Sequence, residues 1–199
     1  VQDSIDFSNV NNIKAISPVI EKPIIVRQKN DIDGFVLRGI DYKADINNFK
    51  QNLESDKFNF SSDSANEVII SKNVAKSMNL EVGDNLIFYT IDVEQKSSPK
   101  TKFSRFKIVG FYNTGLGEYD KTILISPLKS VRAFFDIDPA KSTRLEIVVK
   151  NKSNLERTSS EIAQIVPFPY MVKNVFDFQR MALIWIQVQK EPVPLVLGI

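Results

Sequence analysis

Phe106-Lys107-Ile108-Val109-Gly110-Phe111-Tyr112-Asn113-Thr114-Gly115, followed closely by Glu118-Tyr119-Asp120, is the stretch that sets the fold class. Aromatic and β-branched side chains dominate residues 103–111, which predicts a strand, and Asn-Thr-Gly predicts the turn that ends it. Further strands are expected on either side, at 86–91 and 121–125, each rich in the same residue types and bounded by polar turns. The strands at 86–91 and 103–111 enclose a polar loop, residues 92–102.

Outward from this centre the pattern alternates strand and helix. Toward the N-terminus, extended runs at 20–27 and 35–40 flank Asn30-Asp31-Ile32-Asp33-Gly34 and predict a hairpin. Residues 41–66 are rich in Asn, Asp, Ser and Lys and read as irregular loop. A strand at 67–70 then leads to a helix capped by Ser71, with Val74, Ala75 and Met78 on one face and Gly83 in the turn that closes it. Toward the C-terminus, Ser126-Pro127 predicts a helix start with Leu128, Val131 and Phe135 as its buried stripe. A strand at 144–150 follows, then a helix opened by a Ser153 to Glu156 capping box, with Leu155, Ile162 and Ile165 on one face, and a returning strand at 170–175. The order predicts an α+β fold: an α/β layer into which a strand-rich subdomain is inserted at about 42–143. No internal repeat is visible, and the 14 Phe residues sit at core spacings rather than forming a base-stacking platform.

Composition removes whole classes of function. With 26 basic and 24 acidic residues the formal net charge is +2, too balanced for a nucleic-acid-binding surface. There is neither Cys nor His, so disulfides, thiolate nucleophiles, imidazole bases and the common zinc sites are all excluded. Any metal would need oxygen ligands alone. Asp31, Asp33, Glu118, Asp136 and Asp138 are such donors, but they match no calcium-loop spacing and read as solvated turn residues. Glu118 and Asp120 on the glycine turn are the nearest approach to an acid/base pair; without an opposing partner they read as turn chemistry. Neither a phosphate-binding glycine loop nor a Gly-x-Ser-x-Gly elbow is present, and the Ser126 to Lys129 spacing falls on a helix cap, so no catalytic residues and no cofactor are assigned.

The first residues lack an initiator Met and the features of a signal peptide, and an upstream segment is expected. Residues 181–199 are the most apolar stretch, but Gln187, Gln189, Lys190, Glu191 and Pro192 interrupt it before a membrane span accumulates. Taken alone it reads as a terminal amphipathic helix.

Four segments in order resemble one family. They are Ile16-Ser17-Pro18-Val19-Ile20 leading to Gly39-Ile40-Asp41; Val68-Ile69-Ile70-Ser71 through Val82-Gly83-Asp84; the opening stretch from Phe106 to Asp120; and 123–131 followed by 145–149. They are similar to the extracytoplasmic domain of the permeases that release lipoproteins from the bacterial inner membrane, within the MacB/FtsX-like ABC permeases. The chain departs from that pattern at Ser71, where the family usually has Gly, and at Tyr42, where it usually has Pro.

The resemblance implies a non-catalytic domain lying between the first two helices of a multi-pass inner-membrane protein. It implies a porter-like subdomain from 1–41 and 144–180, an inserted strand-rich, Sabre-like subdomain from 42–143, and a linker helix with the start of a second membrane helix at 181–199. The implied partners are a cytoplasmic ATPase, a second permease subunit or copy, a membrane lipoprotein and a soluble periplasmic carrier. In such permeases the 92–102 position carries a protruding hook that engages the carrier, which would make Lys96, Ser97, Ser98, Pro99, Lys100, Thr101 and Lys102 partner-binding residues. Drug or peptide efflux and a stand-alone binding module stay open beside lipoprotein release.

Overall fold

The computed structural model describes residues 5–28, 31–41, 60–92 and 100–177. Two compact units are distinguished: unit 1 holds residues 16–147, and unit 2 holds 4–15 and 148–199, of which 5–15 and 148–177 are described. The first hairpin stays with the later strands because both of its arms pair with them.

Among the described residues seven strands are present: β1 (Ile13–Gln28), β2 (Asp31–Ile40), β3 (Glu67–Ser71), β4 (Asn85–Asp92), β5 (Lys100–Tyr112), β6 (Ile123–Pro127) and β7 (Arg144–Val149). Their order in the sheet is β2-β6-β3-β5-β4-β1-β7, and β1 also pairs with β2. Six strands therefore form a closed circuit of pairings, which removes the free edges an open sheet would carry. The pairings are mixed: β2–β6 and β3–β5 are parallel, and the remaining pairs of the circuit are antiparallel.

Strand alternation explains the core. Ile24 and Val26, Phe35 and Leu37, Val68 and Ile70, Leu86 and Phe88, and Phe106 and Ile108 all turn to one side and join one buried cluster. Phe106 stacks on Phe88 at 4.3 Å and meets Phe134 edge-on at 5.7 Å. Burying each such side chain contributes about 1.5–3 kcal/mol. At Val109 the β3–β5 register slips by one residue, Val68 facing Ile108 but Ile69 facing Gly110. That bulge resets the parity, so Phe111 stays with the first cluster while Tyr112 joins a second one with Ile40, Phe60, Ile69, Ile123 and Ile125.

Among the described residues four α-helices punctuate the strands: α1 (Lys72–Ser77), α2 (Gly117–Thr122), α3 (Leu128–Phe135) and α4 (Leu155–Ile165). Ser71 caps α1 as expected, its Oγ accepting Val74 N at 3.1 Å, and its hydroxyl also donates to the Asp120 carbonyl. Gly83 holds φ +104° in the turn after α1, a conformation open to glycine and closed to most residues. At Gly39, an added Cβ would stand 2.9 Å from Val131 Cβ, so the glycine is what lets α3 lie against β2.

Several local expectations are corrected. The first turn is shorter than Asn30 to Gly34: Ile32, Asp33 and Gly34 belong to β2, where exposed side chains gave no burial signal. The segment expected to be a strand from Lys121 begins as α2 and becomes strand only at Ile123, because Glu118 to Lys121 make helical contacts. Ser126 does not cap α3; it lies on β6 with its hydroxyl donating to the Glu67 carbonyl at 2.7 Å, and Pro127 takes the cap position. The Ser153 to Glu156 capping box is absent, since Asn151 caps a short 3-10 turn and α4 starts after it without a side-chain cap. Residues 170–175 are not a strand: Pro167 and Pro169 lack donors, and Asn174 ties the chain into a helical turn at 175–177. The irregular reading of 42–59 and the readings of 181–199 lie outside the described residues.

In unit 2, Asn12 is the organising residue. Its amide donates to the Asn151 carbonyl at 3.1 Å and to Thr158 Oγ1 at 2.8 Å, while its own Oδ1 accepts Asn151 N at 2.9 Å.

Candidate functional site: the base of the β4–β5 arm

β4 and β5 pair antiparallel from Asn85↔Lys107 out to Asp92↔Lys100. The ladder takes up Asp92 and 100–102 of the expected polar loop, and the rest of it, 93–99 with Lys96, Ser97, Ser98 and Pro99, lies outside the described residues. Lys100, Thr101 and Lys102 are corrected from loop to strand, because they continue the ladder opposite Asp92, Ile91 and Thr90. Lys102 points toward the α3 side and forms an ion pair with Asp136. With Asn66, Phe103, Ser104 and Phe134 it lines a cleft of about 390 Å³.

The outer side of the same strands carries a surface that sequence reasoning missed. Phe103 is 73% exposed and lies against Tyr89 at 6.1 Å between ring centroids. Tyr89 faces Ile25 across the β4–β1 pairing, and Ile25 faces Gly34, so an apolar row crosses four strands. The adjacent row is Ile32, Arg27, Ile87 and Arg105. An exposed apolar row beside arginines is the composition of a docking surface. The signal was legible: Phe106 and Ile108 point inward, so Phe103, three residues back, must point out.

The other constellations are structural. Asp120 is buried and accepts bonds from Thr114 N, Thr114 Oγ1 at 2.7 Å and Gly115 N at 3.1 Å, which fixes the turn before α2. Glu118 is exposed and pairs with Lys121 at 3.1 Å, so the two carboxylates are separate in role. Asp33, on β2, accepts Gly34 N at 2.7 Å, and Asp138 accepts Ala140 N at 2.7 Å in the turn after α3. Among the described residues, no three carboxylates gather closely enough to hold a metal ion.

A part-buried ionic cluster centred on Arg38 ties three strands together. Arg38 of β2 reaches Glu21 of β1 and Glu146 of β7, each at 2.7 Å, and Arg144 bonds the same two carboxylates. Burial works against the Arg38 charge, but Tyr119, Glu146 and Glu21 outweigh it and hold the pKa above the ordinary arginine value. Nearby, burial raises the pKa values of Tyr112 and Tyr119, so both phenols stay neutral well past the usual tyrosine range. Tyr112 donates to the Ile123 carbonyl at 2.9 Å.

Comparison with known proteins finds the same fold elsewhere. The periplasmic region of MacB from Actinobacillus actinomycetemcomitans superposes with TM-score 0.57 at 15% identity, covering 88% of this chain and 78% of that one. The extracellular domain of the noncanonic ABC-type transporter YknZ from Gram-positive bacteria gives TM-score 0.55 at 16% identity, covering 84% of each. In sequence, the lipoprotein-releasing system transmembrane protein LolC of Buchnera aphidicola subsp. Acyrthosiphon pisum (strain APS) is 36% identical over 107 residues, 53% of this chain and 27% of that protein. The chain thus matches about a quarter of that relative's length. Among the described residues no helix is long and apolar enough to cross a membrane. The profile of the MacB-like periplasmic core domain matches residues 2–165, and the chain belongs to that family of ABC-permease periplasmic domains.

Proposed function

We propose that this domain serves a multi-pass inner-membrane permease that passes lipoproteins from the bilayer to a soluble periplasmic carrier, driven by a separate cytoplasmic ATPase and working beside a second permease subunit or copy. The observation that carries the reading is the 36% identity to LolC over 107 residues. The β4–β5 arm supports it, since a strand pair rooted in a closed circuit can present a loop without exposing the core. Residues 96–102 would form the projecting contact, and Phe103, Tyr89, Ile25 and Arg105 at its base would meet the body of the carrier. The nested porter-like and strand-rich parts belong to the same reading. The likeness to the MacB periplasmic region keeps efflux as the second reading.

The deciding experiment reconstitutes the full-length permease with its ATPase, a fluorescent lipoprotein and the carrier in vesicles. ATP-dependent appearance of lipoprotein on the carrier is expected. ATP-dependent movement of a small amphipathic drug, with the lipoprotein left in the bilayer, would replace lipoprotein release by efflux.

A further inference from the structure

Among the described residues of unit 2, the exposed large apolar side chains all fall within 165–176. Phe168 is 96% exposed, Met171 78% and Val175 54%, with Tyr170 and Phe176 also in the open. A contiguous run of this kind is uncommon on a surface that faces only water. Three further observations say what it faces.

Three backbone nitrogens around Phe168 need no water. Pro167 and Pro169 carry no N–H, and Tyr170 N is already satisfied by the Pro167 carbonyl at 3.1 Å. Charge is sparse and of one sign, since between Glu161 and Asp177 the only ionisable chain that is charged at neutral pH is Lys173, and it is exposed. Beyond it, Asn174 Oδ1 accepts Phe176 N at 2.9 Å and Asp177 N at 3.1 Å, which starts a helical turn at 175–177. In sequence that turn is followed by Phe178-Gln179-Arg180 and then by the most apolar stretch of the chain, which begins Met181-Ala182-Leu183-Ile184-Trp185-Ile186.

We propose that residues 167–176 rest in the headgroup layer of an anionic phospholipid bilayer, with Phe168 and Met171 reaching the acyl boundary and Lys173 among the phosphates. Aromatic rings with a polar tip and a flanking cation suit that layer, where apolar burial and attraction to anionic lipid add. This rests on the permease reading, which supplies the membrane. The domain then touches the bilayer through a second point besides its covalent connection, and its tilt above the membrane is restrained.

The test uses the full-length protein on a cysteine-free background, to which this chain contributes no cysteine. It is reconstituted in phosphatidylethanolamine/phosphatidylglycerol vesicles. A nitroxide is placed singly at Phe168→Cys, at Leu195→Cys in the apolar tail, and at Val82→Cys, an exposed position in unit 1. Collision with oxygen against collision with a water-soluble nickel chelate is then read by spin resonance. Oxygen-favoured collision at both 168 and 195, with 82 water-like, is the expected result. Water-like behaviour at 168 with 195 still oxygen-favoured overturns the lipid contact and leaves the permease reading standing. A water-like signal at 195 removes the permease reading and this proposal with it. Oxygen-favoured collision at 82 would mean indiscriminate adsorption, and protection of 168 from both reagents in detergent would mean cover by protein; either result sinks the proposal.

Discussion

Unit 1 and unit 2 are held together by different means. Unit 1 encloses nearly all of the buried apolar side chains, in two clusters on the two sides of its strands, whereas the described part of unit 2 contributes only Val10 and Ile162 to them. Unit 2 relies on the hydrogen bonds of Asn12 with Asn151 and Thr158. Apolar burial is cooperative and costly to undo, while a few part-exposed hydrogen bonds open locally at small cost. The difference leads us to expect that local opening costs less in the described part of unit 2 than in unit 1.

The largest effect should come from Phe106→Ala. Removing a ring fully buried between Phe88 and Phe134 is expected to cost about 3–5 kcal/mol, read by urea denaturation of unit 1 signals. A loss no larger than that of a surface substitution would break the comparison at its root. Next is Gly39→Ala, which forces a Cβ to 2.9 Å from Val131 and should cost about 1–3 kcal/mol. The double variant with Val131→Ala should recover part of that loss, and if it recovers nothing the close approach is not the cause.

Asn12→Ala should cost about 1–2 kcal/mol, confined to unit 2. Hydrogen exchange should quicken at Asn151 and Thr158 and stay unchanged at Leu124; equal quickening at both would show that the units open as one. A pH series sharpens the account of unit 1. Tyr112 and Tyr119 have pKa values raised by folding, so their contribution is complete below about pH 10 and is lost as pH rises above it. Tyr112→Phe is expected to flatten the fall in stability above pH 10, at the expense of the bond to the Ile123 carbonyl. An unchanged alkaline slope would remove Tyr112 from its cause. Smallest of all, Phe103→Ser should change stability by no more than about 0.5 kcal/mol while weakening carrier binding, as should deletion of residues 97–99, which spares the paired Lys100 and Thr101. Carrier affinity untouched in both would take the docking role away from the arm.

The strands were readable because unit 1 buries their inward positions. Ile24 and Val26, Phe106 and Ile108 announce themselves by alternation, and Ser71 marks the start of α1 through a local bond from Val74 N. What was not readable depends on partners remote in sequence. Ile32 to Gly34 extend β2 only because Arg27, Val26 and Ile25 stand opposite them. Ser126 gives up a cap position for the Glu67 carbonyl, 59 residues away in sequence. At the arm, the lysines and Pro99 drew attention to the loop, but the apolar row at its base needed the registers of β1, β4 and β5 together.

The chain enters unit 1 on β1 and leaves it on β7, and these two strands are neighbours in the sheet, with Thr143 N bonded to the Val19 carbonyl at 3.0 Å as β7 approaches. A body whose entrance and exit lie side by side can be spliced into a host chain without prying the host apart. Residues 16–147 therefore have the layout of a graft. Exchange between relatives could swap this body, with its arm and its outer row of apolar residues, while leaving the scaffold that receives it in place.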